Sequence, residues 1–412
     1  MIPPSAMAAL ALASWYWARF CSGVRGVESW VTKTLSRNPA DPRSHVDWGL
    51  LIGVVAIAAM GLVAIYTATY QNRTIAGLDT LYFVKRQGLA VAVGLVGLVV
   101  VMMIDYRKLR ELALRIYLAT LVLLVAVLVV ARAQNGIDAW FNIGPFQVQP
   151  SEFAKVALVL VLAAYAANER SKGGPLSFRR FVVALAIVAV PTGLVLVQPD
   201  LGTASALVVI AMAILLVAGA QWKHIVLITA MAVISGAVLI GTGQLARDQQ
   251  DRLTVFLSQD STPRTPDQKR AQYQLANAKA AIADGGITGQ GYLNGSYTNG
   301  AYVPEQHTDF VFSAIAEQFG LAGSVVLLAV YGFVILRMWR IARLAKDQLG
   351  ALIATGALAL VAWHVFENIG MNMGLVPVTG IPLPLVSYGG SSVVAFLVLV
   401  GLVESVHMRR FV

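Results

Sequence analysis

Val303-Pro-Glu-Gln-His-Thr-Asp-Phe-Val-Phe-Ser-Ala-Ile-Ala-Glu-Gln-Phe-Gly320 sets an acid, Asp309, where a long polar loop enters an apolar helix. A carboxylate at that depth is costly to desolvate and calls for a functional explanation. The polar residues before it would let a polar substrate approach from water. An aspartate so placed can accept a proton from a hydroxyl, bind a metal or carry a cation, and the rest of the chain has to decide among these.

The apolar run that follows Asp309 has many counterparts. Of 412 residues, 58% are hydrophobic and 13% charged, and the mean hydropathy is +0.71. Soluble domains are about 45–50% apolar and about 25% charged, so the composition predicts a membrane protein. Runs near the roughly 20-residue bilayer length fall at about 48–67, 87–104, 112–131, 151–167, 181–197, 201–219, 225–242, 310–336, 351–373 and 388–406. The expected fold is therefore all-α: a polytopic membrane domain, residues 48–410, of about ten transmembrane helices, with one large extracytoplasmic loop at about 243–308. A single cysteine, Cys21, rules out an intramolecular disulfide framework.

The net charge of +10 reports topology rather than a nucleic-acid partner. Basic residues gather in alternate loops: Arg107, Lys108 and Arg110; Arg170, Lys172, Arg179 and Arg180; Lys223; Arg337, Arg340, Arg343 and Lys346; Arg409 and Arg410. The intervening short loops carry fewer, which is the positive-inside pattern with both termini cytoplasmic. Residues 1–47 are expected to form a cytoplasmic or interfacial extension anchored by Trp15, Tyr16 and Trp17. Their apolar part is too short to span and lacks a basic start, which argues against a cleaved signal.

Four polar constellations lie toward the expected outer face. In the first, Trp140 leads to Gln149-Pro-Ser-Glu-Phe-Ala-Lys155, where Ser151 is a candidate N-cap of the fourth span. Glu152 sits in its first turn, and Glu152 and Lys155, three apart, can pair. In the second, Asp200 is expected to cap the sixth span. The third is the Asp309 loop with Glu305 and His307; Glu317, eight residues on, falls on nearly the same helical face as Asp309. The fourth, Pro377-Val-Thr-Gly-Ile-Pro-Leu-Pro-Leu-Val-Ser-Tyr-Gly-Gly-Ser-Ser392, has too many prolines and glycines for a regular span. Such backbone is tolerated at membrane depth only when buried in protein or lining a cavity. Its Ser387 and Tyr388 offer hydroxyls to a ligand. In the large loop, Gln272 to Ala283 is predicted to be an amphipathic helix ended by Gly285-Gly286, and Gly289-Gln-Gly291 a turn. Asn368 and Asn372 share a face of the ninth span, where interhelical bonding explains them as well as substrate contact does.

The segments HTDF through Glu317, QPSEFAK and PVTGIPLPLVSYGGSS resemble those of the SEDS family (shape, elongation, division and sporulation), over about residues 46–410. The last segment is nearer the rod-shape branch than the division branch, which stays as an alternative. The resemblance implies a peptidoglycan glycosyltransferase that polymerises lipid II at the outer face of the cytoplasmic membrane. It also implies a class B penicillin-binding protein and other elongation-complex membrane proteins as partners. Asp309 matches the family's essential aspartate and is expected to act as general base; Trp140, Glu152 and Lys155 match further functional positions. His307, Glu317, Ser387 and Tyr388 complete the candidate site. No cofactor is certain, and a divalent cation, Mg2+ or Mn2+, stays open. The competing readings are a lipid II flippase, which needs polar groups across the whole bilayer, and a scaffold that only activates its partner.

Overall fold

The computed structural model describes residues 42–133, 139–143, 146–170, 177–224, 226–231, 247–257, 263 and 265–411. The chain divides into a unit spanning Asp47–Arg410 and a second made of Met1–Val46 with Phe411–Val412. In the second, the described part is the 3-10 turn Pro42–His45 with the His45 and Phe411 rings 4.9 Å apart. The expected anchors Trp15, Tyr16 and Trp17 lie outside the described residues.

The large unit is a helical membrane bundle. Its elements are α1 (Trp48–Ile75), α2 (Tyr82–Met103), α3 (Tyr106–Ala133), the hairpin β1–β2 (Phe141–Ile143, Phe146–Val148), α4 (Pro150–Arg170), α5 (Phe178–Val197) and α6 (Leu201–Val217). After the large loop's α7 (Arg247–Leu257), α8 (Pro266–Gly285) and α9 (Ser296–Asn299) come α10 (Val311–Leu344), α11 (Gln348–Met373) and α12 (Gly390–Met408). Eight of these (α1–α5 and α10–α12) are long and apolar enough to cross a bilayer, and α6 is a shorter apolar helix of 17 residues. The seventh expected span begins as helix in the described residues 226–231, after a short helical stretch at 222–224, and its remainder to 242 lies outside them.

Burial sorts the helices into layers. In α4 and α12, 83% and 89% of the span is buried, against 22% in α2 and 28% in α3, α5 and α10. Buried polar groups lie on α4 and α12 and on the inward sides of α2, α10 and α11, while the outer helices present Val96, Val122 and Val325 outward, a surface that only lipid covers favourably. This is a multi-pass membrane protein.

Buried side chains lock the end where the chain enters α1. Asp47 caps α1 by accepting the Leu50 N–H at 3.0 Å and holds Arg337 Nη2 at 2.6 Å through both carboxylate oxygens; its own N–H donates to Glu404. The Arg337 guanidinium and the capping N–H hold the Asp47 carboxyl below the usual range against the opposing effect of burial. Arg409 donates to the Met102, Met103 and Ser405 carbonyls, closing the end of α12 onto α2.

At the other end the large loop is stitched into a break in α10. Gly320 has φ 65° and ψ −163°, and a Cβ there would lie 2.4 Å from Gly289 N, so neither side chain nor helical geometry fits. The groups freed by the break pair with the loop: Leu321 N–H donates to Gly286 O, Ala322 N–H to Ile287 O, and the Glu317 and Gln318 carbonyls accept from Gln290 and Gly291. The predicted amphipathic helix is α8, longer than expected because Thr265 caps it by accepting the Gln268 N–H at 3.1 Å; it stops at Gly286.

Residues 374–389 are irregular, with Ile381 and Leu383 to Ser387 buried, and several of their backbone polar groups are met by side chains from the spans. Asn368 Nδ2 donates to Ile381 O (2.8 Å) and the Tyr331 hydroxyl to Pro384 O (2.5 Å). Gln87 donates to Ser387 O (2.9 Å) and accepts from Gly389 N–H (3.2 Å). The segment can lie this close because α1 has Gly61 opposite it, where a Cβ would lie 2.4 Å from Leu385 O.

Candidate active site

Asp309 precedes α10 by two residues and does not cap it, since Phe310 holds the cap position without a side-chain bond. Its place is set through its backbone. Asn368 and Asn372, one turn apart on α11, both donate to the Asp309 carbonyl, at 2.9 and 3.1 Å. Asn372 Oδ1 also accepts the Ser313 N–H at 3.2 Å, which ties the first turn of α10 to α11. With the backbone fixed, the carboxylate faces Gly380 and Arg252: a methyl on Gly380 would lie 3.3 Å from Asp309 Oδ2 and 3.9 Å from Arg252 Nη1. Burial, then the nearby Glu305 carboxylate, push the Asp309 carboxyl up to about 6, with Arg252 opposing and Asp200 adding to the rise.

Glu152 and Lys155 form the pair expected from their spacing, with Lys155 Nζ 2.8 Å from Glu152 Oε1 and both side chains almost wholly buried. His364 on α11 adds a contact, Nε2 lying 3.3 Å from Lys155 Nζ, while its Nδ1 lies 3.3 Å from Pro382 O. Glu152 Oε2 has no hydrogen-bond partner among the described residues. A buried ion pair left with an unsatisfied oxygen is a poor stabiliser, and sites that keep one usually use it.

Asp200 caps α6 as expected, accepting the Thr203 N–H at 2.8 Å. Its carboxyl feels the charges of Lys155 and Glu152 and itself adds to the rise at Asp309. Burial pushes its carboxyl up, against the pull of Thr203 and Lys155. Arg252 reaches the site from α7, which is braced to α8 by Asp251 accepting from Thr265 Oγ1 (2.9 Å) and Gln268 Nε2 (2.8 Å).

Other expected residues fall elsewhere. Ser151 is not an N-cap, because Pro150 is already helical and Ser151 lies inside the first turn, fully buried. Glu317 does not share a face with Asp309, because the helix begins after Asp309 and the periodicity does not extend back to it. Its carboxylate instead holds the start of α9, accepting from Tyr297 N–H (2.6 Å), Thr298 N–H (2.9 Å) and Thr298 Oγ1 (2.5 Å). The Ser387 hydroxyl accepts the Leu383 N–H at 2.8 Å and so serves its own turn. Tyr388 donates its N–H to His307 O at 2.9 Å, joining the fourth constellation to the Asp309 loop. His307 lies beside Phe83 and Tyr388, its imidazole pushed below the ordinary range by burial and so neutral at pH 7. Trp140 is 37% exposed on the residues leading into β1. Sequence reasoning expected an outer-loop arginine without singling out Arg252, and missed His364 and Gln87 as contributors. Among the described residues no group of three or more His, Cys, Asp or Glu gathers as a metal cage.

The class is that of a helical membrane bundle holding a buried Glu152–Lys155 pair on α4 and the Asp309 carboxylate just ahead of α10. The chain belongs to the FtsW/RodA/SpoVE family of cell cycle proteins, which matches residues 48–411. Among its relatives is the peptidoglycan glycosyltransferase MrdB of Escherichia coli K12, 33% identical over 367 residues that cover 89% of this chain and 94% of MrdB. The peptidoglycan glycosyltransferase RodA of Treponema pallidum is 30% identical, covering 89% of this chain and 98% of that protein. Among solved structures, Thermus thermophilus RodA superposes with a TM-score of 0.64 at 30% identity, over 89% of this chain and 97% of that one. A chain from a peptidoglycan synthase complex, described as coordinating polymerization and crosslinking, gives 0.72 at 32% identity, over 89% and 98%.

Proposed function

We propose that this chain is a peptidoglycan glycosyltransferase that polymerises lipid II, with Asp309 as general base. The observation that carries the assignment is a carboxylate raised to about 6 on a backbone pinned by two asparagines. Asp309 takes the proton of the acceptor 4-hydroxyl while that oxygen bonds to the anomeric carbon of the donor. The bond from that carbon to the diphosphate oxygen breaks, and polyprenyl diphosphate leaves with the electron pair. The leaving group needs charge neutralisation more than a proton, and Lys155 and Arg252 supply it. Glu152 and His364 position Lys155. Were a divalent cation to take part, Glu305 would hold it as one carboxylate, with substrate phosphates completing its shell, adding charge neutralisation to that of Lys155 and leaving Asp309 as the base.

The Asp309 carboxylate, Arg252 and the loop all lie at the end of the bundle opposite the arginine-rich end. The positive-inside rule makes this the extracytoplasmic face of the inner membrane, with the termini cytoplasmic. Asp309 and Arg252 lie at this end, while the buried polar groups of the opposite end, Asp47, Arg337 and Glu404, pair with one another, which favours an enzyme acting on exported substrate over a flippase. The PVTGIPLPLVSYGGSS segment supports the elongation branch, with a class B penicillin-binding protein as partner. Purified protein with that partner, given lipid II, should make glycan strands that an Asp309→Asn variant does not.

A further inference from the structure

The turn between α5 and α6 is fastened to the bundle on two sides. Gln198 Nε2 donates to Leu124 O on α3 at 3.3 Å, and Asp200 Oδ2 accepts from Gln149 Nε2, just ahead of α4, at 3.4 Å. Between these two residues, the Pro199 carbonyl accepts from Gln249 Nε2 on α7, and the Gln249 side chain is buried. Gln249 and Arg252 are three residues apart and so share a face of α7. Asp251 bonds instead to Thr265 and Gln268, which ties α7 to α8 within the loop. The Gln249 bond leaves the loop and joins it to the spans. Across the site, a methyl on Gly380 would meet Asp309 Oδ2 at 3.3 Å and Arg252 Nη1 at 3.9 Å, so carboxylate and guanidinium converge on that one glycine.

We propose that Gln249 is a positioning residue: its bond to the Pro199 carbonyl docks α7 on the α5–α6 turn and so delivers the Arg252 guanidinium to the Asp309 carboxylate. Arg252 carries its charge on a long stem, and neutralising a departing diphosphate depends on where that charge stands as the bond breaks. The bonds of Asp251 cannot set that place, because α7 and α8 braced to each other can still move together over the spans. An amide suits the task, since it donates to a carbonyl without setting another charge beside Asp200 and Asp309. The inference rests on the glycosyltransferase reading, in which Arg252 helps neutralise the leaving group.

The test uses the full chain in nanodiscs with Cys21→Ser and spin labels at Val197 and Leu257, the exposed last residues of α5 and α7. Pulsed electron paramagnetic resonance then reads the distance from the loop helix to the bundle. Gln249→Met, which keeps length and bulk without the donor, should broaden the distribution. Gln249→Lys, which restores a donor of similar reach, should narrow it again. An unchanged distribution in Gln249→Met, or Gln249→Lys as broad as Gln249→Met, overturns the tether whatever the fate of Asp309, because the distance requires no turnover. In lipid II polymerisation with the partner present, Gln249→Met should lower kcat about tenfold at little-changed KM, since misplacement by about 1 Å can cost about 10²-fold. Added to Arg252→Gln, it should cost nothing further. Equal losses in the two backgrounds, or a loss confined to KM, overturn the positioning role. If Arg252→Gln itself polymerises as wild type does, the neutralising role given to Arg252 fails instead, and the positioning role falls with it, while the distance still decides the tether.

Discussion

Asn368 Nδ2 donates to the backbone carbonyl of Asp309 at 2.9 Å and, through its second hydrogen, to Ile381 O at 2.8 Å. One buried amide thus sets the distance between the base and the irregular segment facing it. Productive geometry tolerates errors well under an ångström. Asn368→Leu should therefore lower kcat about 10–100-fold with a smaller effect on KM, checked by steady-state polymerisation of lipid II.

Arg252 opposes the rise in the Asp309 pKa. A general base must be ionised, so wild-type activity should fall as pH drops through about 6. Arg252→Gln removes the opposing charge, so the acid limb of the kcat/KM profile should move to higher pH. An unchanged limb would separate Asp309 from that ionisation.

The same shift has a cost in stability. The folded pKa of Asp309 lies above its ordinary value of 3.8, so folding favours the neutral acid, and the penalty grows as pH rises from about 4 to about 6. Asp309→Asn should then be more stable than wild type above pH 6, on the order of 1–3 kcal/mol, with the difference vanishing near pH 4. Thermal unfolding in detergent across this range checks both sign and window.

Glu152 and Lys155 are buried together, and removing one partner strands the other. Lys155→Met alone should cost about 3–5 kcal/mol, while Lys155→Met with Glu152→Gln should recover much of that stability. Neither variant should polymerise if Lys155 neutralises the leaving diphosphate. A double-mutant cycle in unfolding midpoint, read beside activity, separates the two roles.

The helical membrane fold was legible because hydropathy and loop charge are local signals. Glu152–Lys155 and the Asp200 cap were legible for the same reason, since each partner lies three residues away. What could not be read joins distant positions. Gln87 meets Ser387 and Gly389 across some 300 residues, and His364 meets Lys155 across 209. Glu317 was misplaced because helical periodicity was extended back through Asp309, where the chain is still a loop. Its actual partners, Tyr297 and Thr298, are set by the break at Gly320 and the loop stitched into it. Glycine at 320 was visible in the sequence, but an isolated glycine does not announce what will fill its gap.

The glycan strands made from lipid II by purified wild type and Asp309→Asn, each with the penicillin-binding partner, test the central claim most directly. Base catalysis is worth about 10²–10⁴-fold, so wild type should give strands and Asp309→Asn, folded and at least as stable, essentially none. Equal strand synthesis by the two would contradict the assignment of Asp309 as the base.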